Sequence, residues 1–166
     1  MTTDIPSLYE SFGLYGSGVT LVTVRDGDDD RFFIAASVLT SSVDPFTLAI
    51  SVGRDREALP AIVDGATWAV SVLAEPHVPL VRRLTARTTR DERLDALSAA
   101  GAERSPEGPL WLPDALVTLW CTTHSTTPVN DQVLLVGQVA RGSGHAESAP
   151  LVRWNREFRT VAALSA

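Results

Sequence analysis

The distribution of apolar and polar residues along the chain predicts a protein built mainly from β-strands. Segments rich in β-branched and aromatic residues alternate with short runs of turn-forming residues. The acidic stretch 26–30 and the stretch 128–131 are two such turns. Strands are predicted over residues 18–25, 31–37, 46–52, 67–73, 115–127 and 132–142, with a short strand pair over 150–161. Short connections of this kind favour antiparallel neighbours.

Helical periodicity is confined to the middle of the chain. Apolar residues at helical intervals predict two helices between residues 76 and 101, followed by a Pro/Gly-rich loop over 104–114. A shorter helix is predicted after residue 53, with Asp55 as a possible N-cap and Gly65 at its end. Strict strand–helix alternation is missing, so a Rossmann domain is not expected. The pattern predicts a mostly β, antiparallel barrel with inserted helices.

Composition narrows the functional classes. With 166 residues, the chain is expected to form one domain over 1–166. Its net charge of -6 argues against general binding to nucleic acid or an acidic membrane. All 14 basic residues are arginines, which excludes a Schiff-base lysine. Neither a secretory signal nor a membrane-spanning run is recognisable, so a cytoplasmic protein is expected.

The histidines and the cysteine give little indication of catalysis. Cys121 is the only cysteine, so a structural zinc cluster is not expected. Cys121 and His124 are three residues apart on a predicted strand, where their side chains point to opposite faces. Cys121 is therefore predicted to be a core residue, and His77 and His145 are predicted to be exposed in loops. No catalytic residue and no metal site is predicted.

A run of hydroxyl side chains stands between the second and third predicted strands. Ser37, Thr40, Ser41 and Ser42 are more than a simple turn requires. Hydroxyls and free backbone N–H groups at a strand end suit a phosphate or the polar edge of a heterocycle. A serine- and threonine-rich loop that satisfies its own backbone is the alternative. The residues alone leave both interpretations open.

Two arginines follow the third strand. Arg54 and Arg56 stand at the predicted start of the short helix, where basic side chains are mildly unfavourable unless an anion binds there. Surface ion pairs with Asp55 and Glu57 are the alternative. Taken together, the hydroxyl-rich loop and the arginines resemble a phosphate-binding corner.

Five segments in the correct order resemble the flavin reductase-like family, whose members have the FMN-binding split-barrel fold. They extend over nearly the whole chain. The family commonly has GVTVVTT, TASSFTSVSLDPPLVLVCVNRSS, FAVNVLAEDQ with LARRF, GDHxxFVGRV and PLLYHRGRYRTL. The corresponding segments here are GVTLVTVRDGD (18–28), IAASVLTSSVDPFTLAISVGRDREAL (34–59), TWAVSVLAEPHVPLVRRLT (67–85), DQVLLVGQV (131–139) and PLVRWNREFRTV (150–161).

The resemblance implies a homodimer that binds FMN or FAD near the subunit interface and uses NADH or NADPH to reduce free flavin for a partner monooxygenase. Hydride chemistry belongs to the cofactor in such proteins, so no acid/base pair is required. The implied flavin contacts are Ala36, Ser37, Val38 and Thr40 to Ser42, with Arg54 and Arg56 in the segment that helps hold phosphate. Ser71 stands where the family often has a flavin-proximal asparagine. Gln132 replaces the histidine often found on the nicotinamide side.

Departures from the family pattern keep two alternatives open. The family's Gly-Met-Thr is replaced by the bulkier Phe32, Phe33 and Ile34, and its Pro-Pro is replaced by Pro45-Phe46. The first alternative is a flavin-binding split barrel without free-flavin reductase activity. The second is a non-enzymatic dimer whose pocket is degenerate, with Phe33 and Ile34 as the plug. Whether the segment 76–110 covers the site or forms a dimer contact is also open.

Overall fold

The computed structural model describes residues 5–144 and 147–164. Its helices are α1 Ile5–Ser11, α2 Leu59–Val63, α3 Val78–Thr85 and α4 Arg90–Ala99. Its strands are β1 Ser17–Gly18, β2 Thr20–Asp26, β3 Asp29–Ala35, β4 Val38–Val43, β5 Phe46–Gly53, β6 Trp68–Val72, β7 Glu103–Arg104, β8 Leu110–Trp111, β9 Val117–Val129, β10 Gln132–Gly144, β11 Leu151–Trp154 and β12 Glu157–Thr160. Within these residues, no helix is long and apolar enough to cross a membrane.

Seven strands form one antiparallel sheet in the order β3-β2-β6-β9-β10-β5-β4. β3 and β4 lie at its opposite edges, although only Ala36 and Ser37 separate them in the chain. Because consecutive Cα atoms are about 3.8 Å apart, the two edges approach to within about 11 Å at this point. The sheet must therefore curl into a barrel whose edges stay unpaired. The predicted antiparallel split barrel with inserted helices is confirmed.

Two hydrophobic cores lie on the two faces of this sheet. Core one is the barrel interior, where Val22, Ile50, Trp68 and Leu135 pack together with α2. Core two lies between the sheet and the helices α3 and α4 and includes Leu21. β2 contributes alternate residues to the two cores, so the whole run from Thr20 to Val24 is buried.

The helical segment packs on the outside of the barrel. Leu80, Val81 and Leu84 of α3 and Ala96 and Leu97 of α4 are its buried contributions to core two. Thr89 caps α4 in a capping box, since its hydroxyl accepts the backbone N–H of Glu92 while the Glu92 carboxylate accepts the Thr89 N–H. The two helices predicted between residues 76 and 101 are therefore confirmed.

Three local predictions need correction. The hydroxyl run is not a loop, because Val38–Val43 forms edge strand β4. Asp55 is not the N-cap of α2, because α2 begins at Leu59 and Ala58 precedes it. The stretch 104–114 is not entirely loop, since β7 and β8 pair in a short hairpin.

The prediction of an exposed His77 is wrong. Its side chain is only 5% exposed, and both ring nitrogens have hydrogen-bond partners. Nδ1 accepts the backbone N–H of Ala74 at 3.0 Å, and Nε2 lies 3.1 Å from Oδ1 of Asp114. His145 lies outside the described residues.

Candidate functional site

The hydroxyl-bearing strand β4 presents a row of polar groups at the edge of the barrel. Thr40 and Ser41 are exposed, and Ser42 is half-buried. The register shifts between Thr40 and Ser42, so Ser41 occupies a bulge, and its hydroxyl lies 2.7 Å from the Thr47 hydroxyl. As an edge strand, β4 also carries backbone N–H and C=O groups that no neighbouring strand uses. Edge backbone and hydroxyls together form a strip of donors and acceptors.

The connection between β3 and β4 joins this strip to the end of β5. Ala36 and Val38 are half-buried, with Val38 packed against core one, and Ser37 is exposed. The Ser37 hydroxyl donates to the carbonyl of Ser51 at 3.0 Å. This bond fixes the start of β4 beside the carboxyl end of β5.

Arg54 and Gln132 come together through the pairing of β5 with β10. Gly53 lies opposite Gln132, and the backbone N–H of Arg54 donates to the carbonyl of Asp131 at 3.1 Å. The Arg54 Nε donates to the Gln132 carbonyl at 3.5 Å. The Gln132 side chain donates to Asp131 at 3.2 Å. Gln132, which is predicted on the nicotinamide side, and Arg54, which is predicted to help hold a phosphate, are therefore neighbours.

Neither proposed arginine is used in an ion pair among the described residues. Both Arg54 and Arg56 are exposed. The alternative of local ion pairs with Asp55 and Glu57 is not what the structure has, since neither arginine pairs with them and Glu57 binds Arg31 at 3.0 Å. Two exposed guanidinium groups at the end of β5 are thus free to meet an anion.

The single phosphate-binding corner expected from the sequence is divided in two. Ser42 lies opposite Thr47 at the start of β5, whereas Arg54 follows the end of that strand. Seven residues of extended chain span about 24 Å. One phosphate cannot contact both the Thr40–Ser42 hydroxyls and the Arg54 side chain of the same chain along this strand. The hydroxyls and arginines mark two ends of a site instead of one corner.

Ser71 is not brought to this strip. It lies on β6 and is 1% exposed, and its hydroxyl is 2.8 Å from the Thr118 hydroxyl of β9. In the sheet order, β9 and β10 separate β6 from β5. The role of Ser71 toward a flavin therefore stays a prediction that its position in this chain does not support.

The expected core position of Cys121 is confirmed. Its side chain is fully buried, and burial raises the pKa of the thiol to about 12. No group of three or more histidine, cysteine or acidic residues among the described positions is arranged to hold a metal ion.

We expect Cys121 to resist thiol reagents in the native state, because both its burial and its raised pKa suppress the reactive thiolate. Ellman's reagent at pH 8 should label no thiol in the folded protein and one per chain after unfolding in guanidinium chloride. Rapid stoichiometric labelling of the native protein would contradict the burial of this residue.

Sequence reasoning could not find several of these neighbours. Ser51 and Thr47 touch the candidate residues through the pairing of β4 with β5, and Asp131 meets Arg54 through the pairing of β5 with β10. Ser51 and Thr47 alternate with apolar residues along β5, and that alternation is the one local signal that their side chains leave the barrel interior.

Comparison with known proteins connects this arrangement to a family. Residues 12–162 match the family model described as "Flavin reductase like domain". The chain is 29% identical over 164 residues to the actinorhodin polyketide dimerase of Streptomyces coelicolor, covering 97% of this chain and 89% of that protein. It is 30% identical over 160 residues to the FMN reductase (NADH) RutF of Methylorubrum extorquens, covering 95% and 76%.

Solved structures agree with this match. The NADH:FAD oxidoreductase SgcE6 of Streptomyces globisporus, in complex with NAD and FAD fragments, superposes with a TM-score of 0.85 at 25% identity. The superposition covers 96% of this chain and 93% of that one. The flavin reductase component BorF of a bacterial two-component tryptophan halogenase also superposes with a TM-score of 0.85 at 25% identity, covering 97% and 100%. The fold, the ordered motifs and the family model over 12–162 agree: this chain belongs to the flavin reductase-like domain family.

Proposed function

We propose that this protein is an NAD(P)H-dependent flavin reductase that reduces FMN or FAD and supplies the reduced flavin to a separate monooxygenase. Family membership and the relatives named as NADH-dependent FMN reductases support this. A further relative, from Thermus thermophilus, is named as the reductase component of 4-hydroxyphenylacetate 3-monooxygenase. The observation that carries the proposal is the polar edge strand β4 with its exposed hydroxyls, next to β5, whose end is followed by two arginines that make no ion pair with any described residue.

The residues present fit a flavin. Its phosphate needs hydroxyl, N–H or guanidinium donors, and its ring edge needs paired backbone donors and acceptors. Both kinds lie along Ala36–Ser42 and at Arg54 and Arg56. These residues would hold and orient the flavin, and the flavin would supply the hydride chemistry when bound. Gln132, beside Arg54, would face the nicotinamide side.

The bulky side chains before β4 pack in the two hydrophobic cores. Phe33 is buried in core one, and Phe32 and Ile34 pack against core two. Their packing gives them a structural purpose that does not require a plugged pocket. This favours an intact flavin site over the degenerate one.

We further propose that the protein acts as a homodimer. The outer face of β4, β5, β10 and β9 carries Leu39 at 55% exposure, Val129 at 48% and Leu134 at 36%. Strand register places these side chains on one face, together with Ala49 and Val136, and none of them belongs to either core. An apolar sheet face that its own chain leaves uncovered suits a second copy.

We also propose that residues 1–166 form one domain, because β2 and its neighbours contribute to both cores. We expect the protein in the cytoplasm, where the reduced nicotinamide nucleotides are produced.

The assay that tests this function mixes the purified chain with NADH or NADPH and with FMN or FAD, and follows nicotinamide oxidation. We expect flavin-dependent turnover. For Arg54→Gln and Arg56→Gln combined, we expect KM for FMN to rise about tenfold, because charge-assisted hydrogen bonds to the phosphate are lost. KM for riboflavin, which has no phosphate, should be unchanged. Arg87→Gln, which removes an exposed arginine elsewhere, serves as the control.

The same assay separates the alternatives. A protein that binds flavin but oxidises neither nicotinamide would be a flavin-binding protein without reductase activity. Absence of flavin binding would indicate a degenerate pocket. If the arginine variants raise KM for the nicotinamide and not for FMN, these side chains serve the other substrate, and the phosphate belongs at Thr40–Ser42.

A further inference from the structure

A cavity lies on the helical side of the molecule, and none of its lining residues belongs to β4, β5 or β10. Its volume is about 300 Å³. The apolar part of its wall consists of two prolines, one leucine and three alanines: Pro76, Pro79, Leu80, Ala96, Ala99 and Ala100. Ala96 and Ala99 of α4 and Ala100 directly after it have small side chains, so this side of the wall leaves room for a ligand, and we call these three alanines the floor. A surface of this kind suits a planar apolar group.

One rim of the cavity carries a histidine–carboxylate pair. Because Nδ1 of His77 accepts the Ala74 N–H, the ring proton lies on Nε2 and is donated to Asp114. His77 is buried and held from both sides, so its ring is a fixed part of the wall. Asp114 keeps a second carboxylate oxygen and is exposed, so this rim is negatively charged.

Another part of the wall carries a guanidinium. Arg83 lies in the last turn of α3, is exposed, and makes no ion pair among the described residues. The carboxylate of Glu92 is near enough to interact with the charge of Arg83. It is already hydrogen-bonded, because it accepts the Thr89 N–H at 2.8 Å and the Thr89 hydroxyl at 3.0 Å. The pKa of Glu92 is lowered mainly by these hydrogen bonds and least by Arg83. Arg83 is therefore available to an anion in the cavity.

We propose that this cavity binds a small monocarboxylic acid with a flat apolar body, of which benzoate is the simplest example. The carboxylate would pair with Arg83 and the ring would lie on the alanine floor. Asp114 would disfavour a second negative charge, so dicarboxylates and phosphate esters are expected to bind more weakly than a monocarboxylate. The volume is about twice that of an engineered cavity of about 150 Å³ that accepts benzene. This inference is independent of the proposed flavin chemistry.

The test is a titration of the full-length, flavin-free protein with sodium benzoate, followed by amide chemical shifts in NMR spectra. We expect saturable shifts confined to α3, α4 and the neighbourhood of Asp114. Arg83→Gln should weaken binding at least about tenfold, whereas the adjacent Arg82→Gln, outside the cavity, should not. Ala99→Leu should block the floor, while Ser98→Leu, an exposed neighbour outside the lining, should not.

Neutral benzamide should bind at least about tenfold more weakly than benzoate, because it offers Arg83 no charge. Three results would overturn the inference: no saturable benzoate binding, equal affinity in the Arg83 and Arg82 variants, or shifts centred on β4. Because the readout is binding without flavin, its failure would leave the reductase proposal untouched.

Discussion

Replacing Gly137 by alanine is expected to lower the free energy of unfolding by about 3 kcal/mol, the upper part of the range for overpacking a core. A Cβ at this position of β10 would lie 2.7 Å from Cη2 of Trp68, closer still to Cζ2, and 3.2 Å from Cβ of Cys121. For a domain of this size the midpoint of thermal unfolding should fall by about 6–12 °C. Urea denaturation followed by tryptophan fluorescence measures the effect.

The Trp68 ring cannot easily move to make room. It is completely buried, and its Nε1 donates to the Thr123 hydroxyl at 3.2 Å. That hydroxyl in turn donates to the carbonyl of Ile62 at 2.8 Å, which ties the ring to α2. Relief of the clash would therefore break a hydrogen-bonded chain across the barrel or displace β10.

Two further variants make this prediction specific. Gly18→Ala, where an added Cβ meets nothing within 4 Å, should change stability by less than about 0.5 kcal/mol. Trp68→Phe removes the indole atoms that clash. The double variant with Gly137→Ala should therefore lose less free energy of unfolding than the sum of the losses in the two single variants. Additive effects, or a Gly137→Ala protein as stable as the wild type, would contradict the contact.

Replacing Leu39 by aspartate is expected to convert the proposed homodimer into a monomer. Leu39 projects from β4 on the uncovered apolar face, where its neighbours across the strands include Ala49 and Val136. Burying an unpaired carboxylate there would cost several kcal/mol, which corresponds to at least about a hundredfold weaker association. Sedimentation velocity at several concentrations measures this. Flavin reduction should fall with it if the site requires both copies.

Val43→Asp is the matched control for this experiment. Val43 is on the same strand and is 82% exposed, but it pairs with Phe46 and so lies on the opposite face of the sheet from Leu39. Its replacement should leave the dimer intact. Equal association of the wild type and the Leu39→Asp variant, or a wild-type protein that sediments as a monomer, would place the interface elsewhere.

Local patterns in the sequence predicted most of the secondary structure. The alternating segments became β2, β3, β5, β6, β9 and β10, and the helical periodicity after residue 76 became α3 and α4. Such patterns arise because side chains point to alternate faces of a strand and to one face of a helix. The ordered motifs also identified the family, which the match over residues 12–162 confirms.

Two of the wrong predictions, those for β4 and His77, share one physical origin. A hydroxyl-rich stretch has the composition of a loop, but Val38–Val43 pairs with β5, and the contacts of that partner outweigh the intrinsic preference. The prediction for His77 was wrong because one of its two hydrogen-bond partners, Asp114, is distant in the chain, although the other, Ala74, is only three residues away. Neither case could be decided from the neighbouring residues alone.

The sequence by itself determined the strand-rich class, the inserted helices and the family. Through the resemblance it also indicated the stretch Ala36 to Ser42 as the one that contacts a flavin. Only the tertiary structure decided how the candidate residues are placed relative to one another. The pairing of β5 with β10 brings Gln132 next to Arg54, whereas the register of β4 on β5 keeps Ser42 far from Arg54. Ser71 is buried within the sheet. These placements depend on strand register, which is set by contacts between residues far apart in the chain and therefore leaves no local signal.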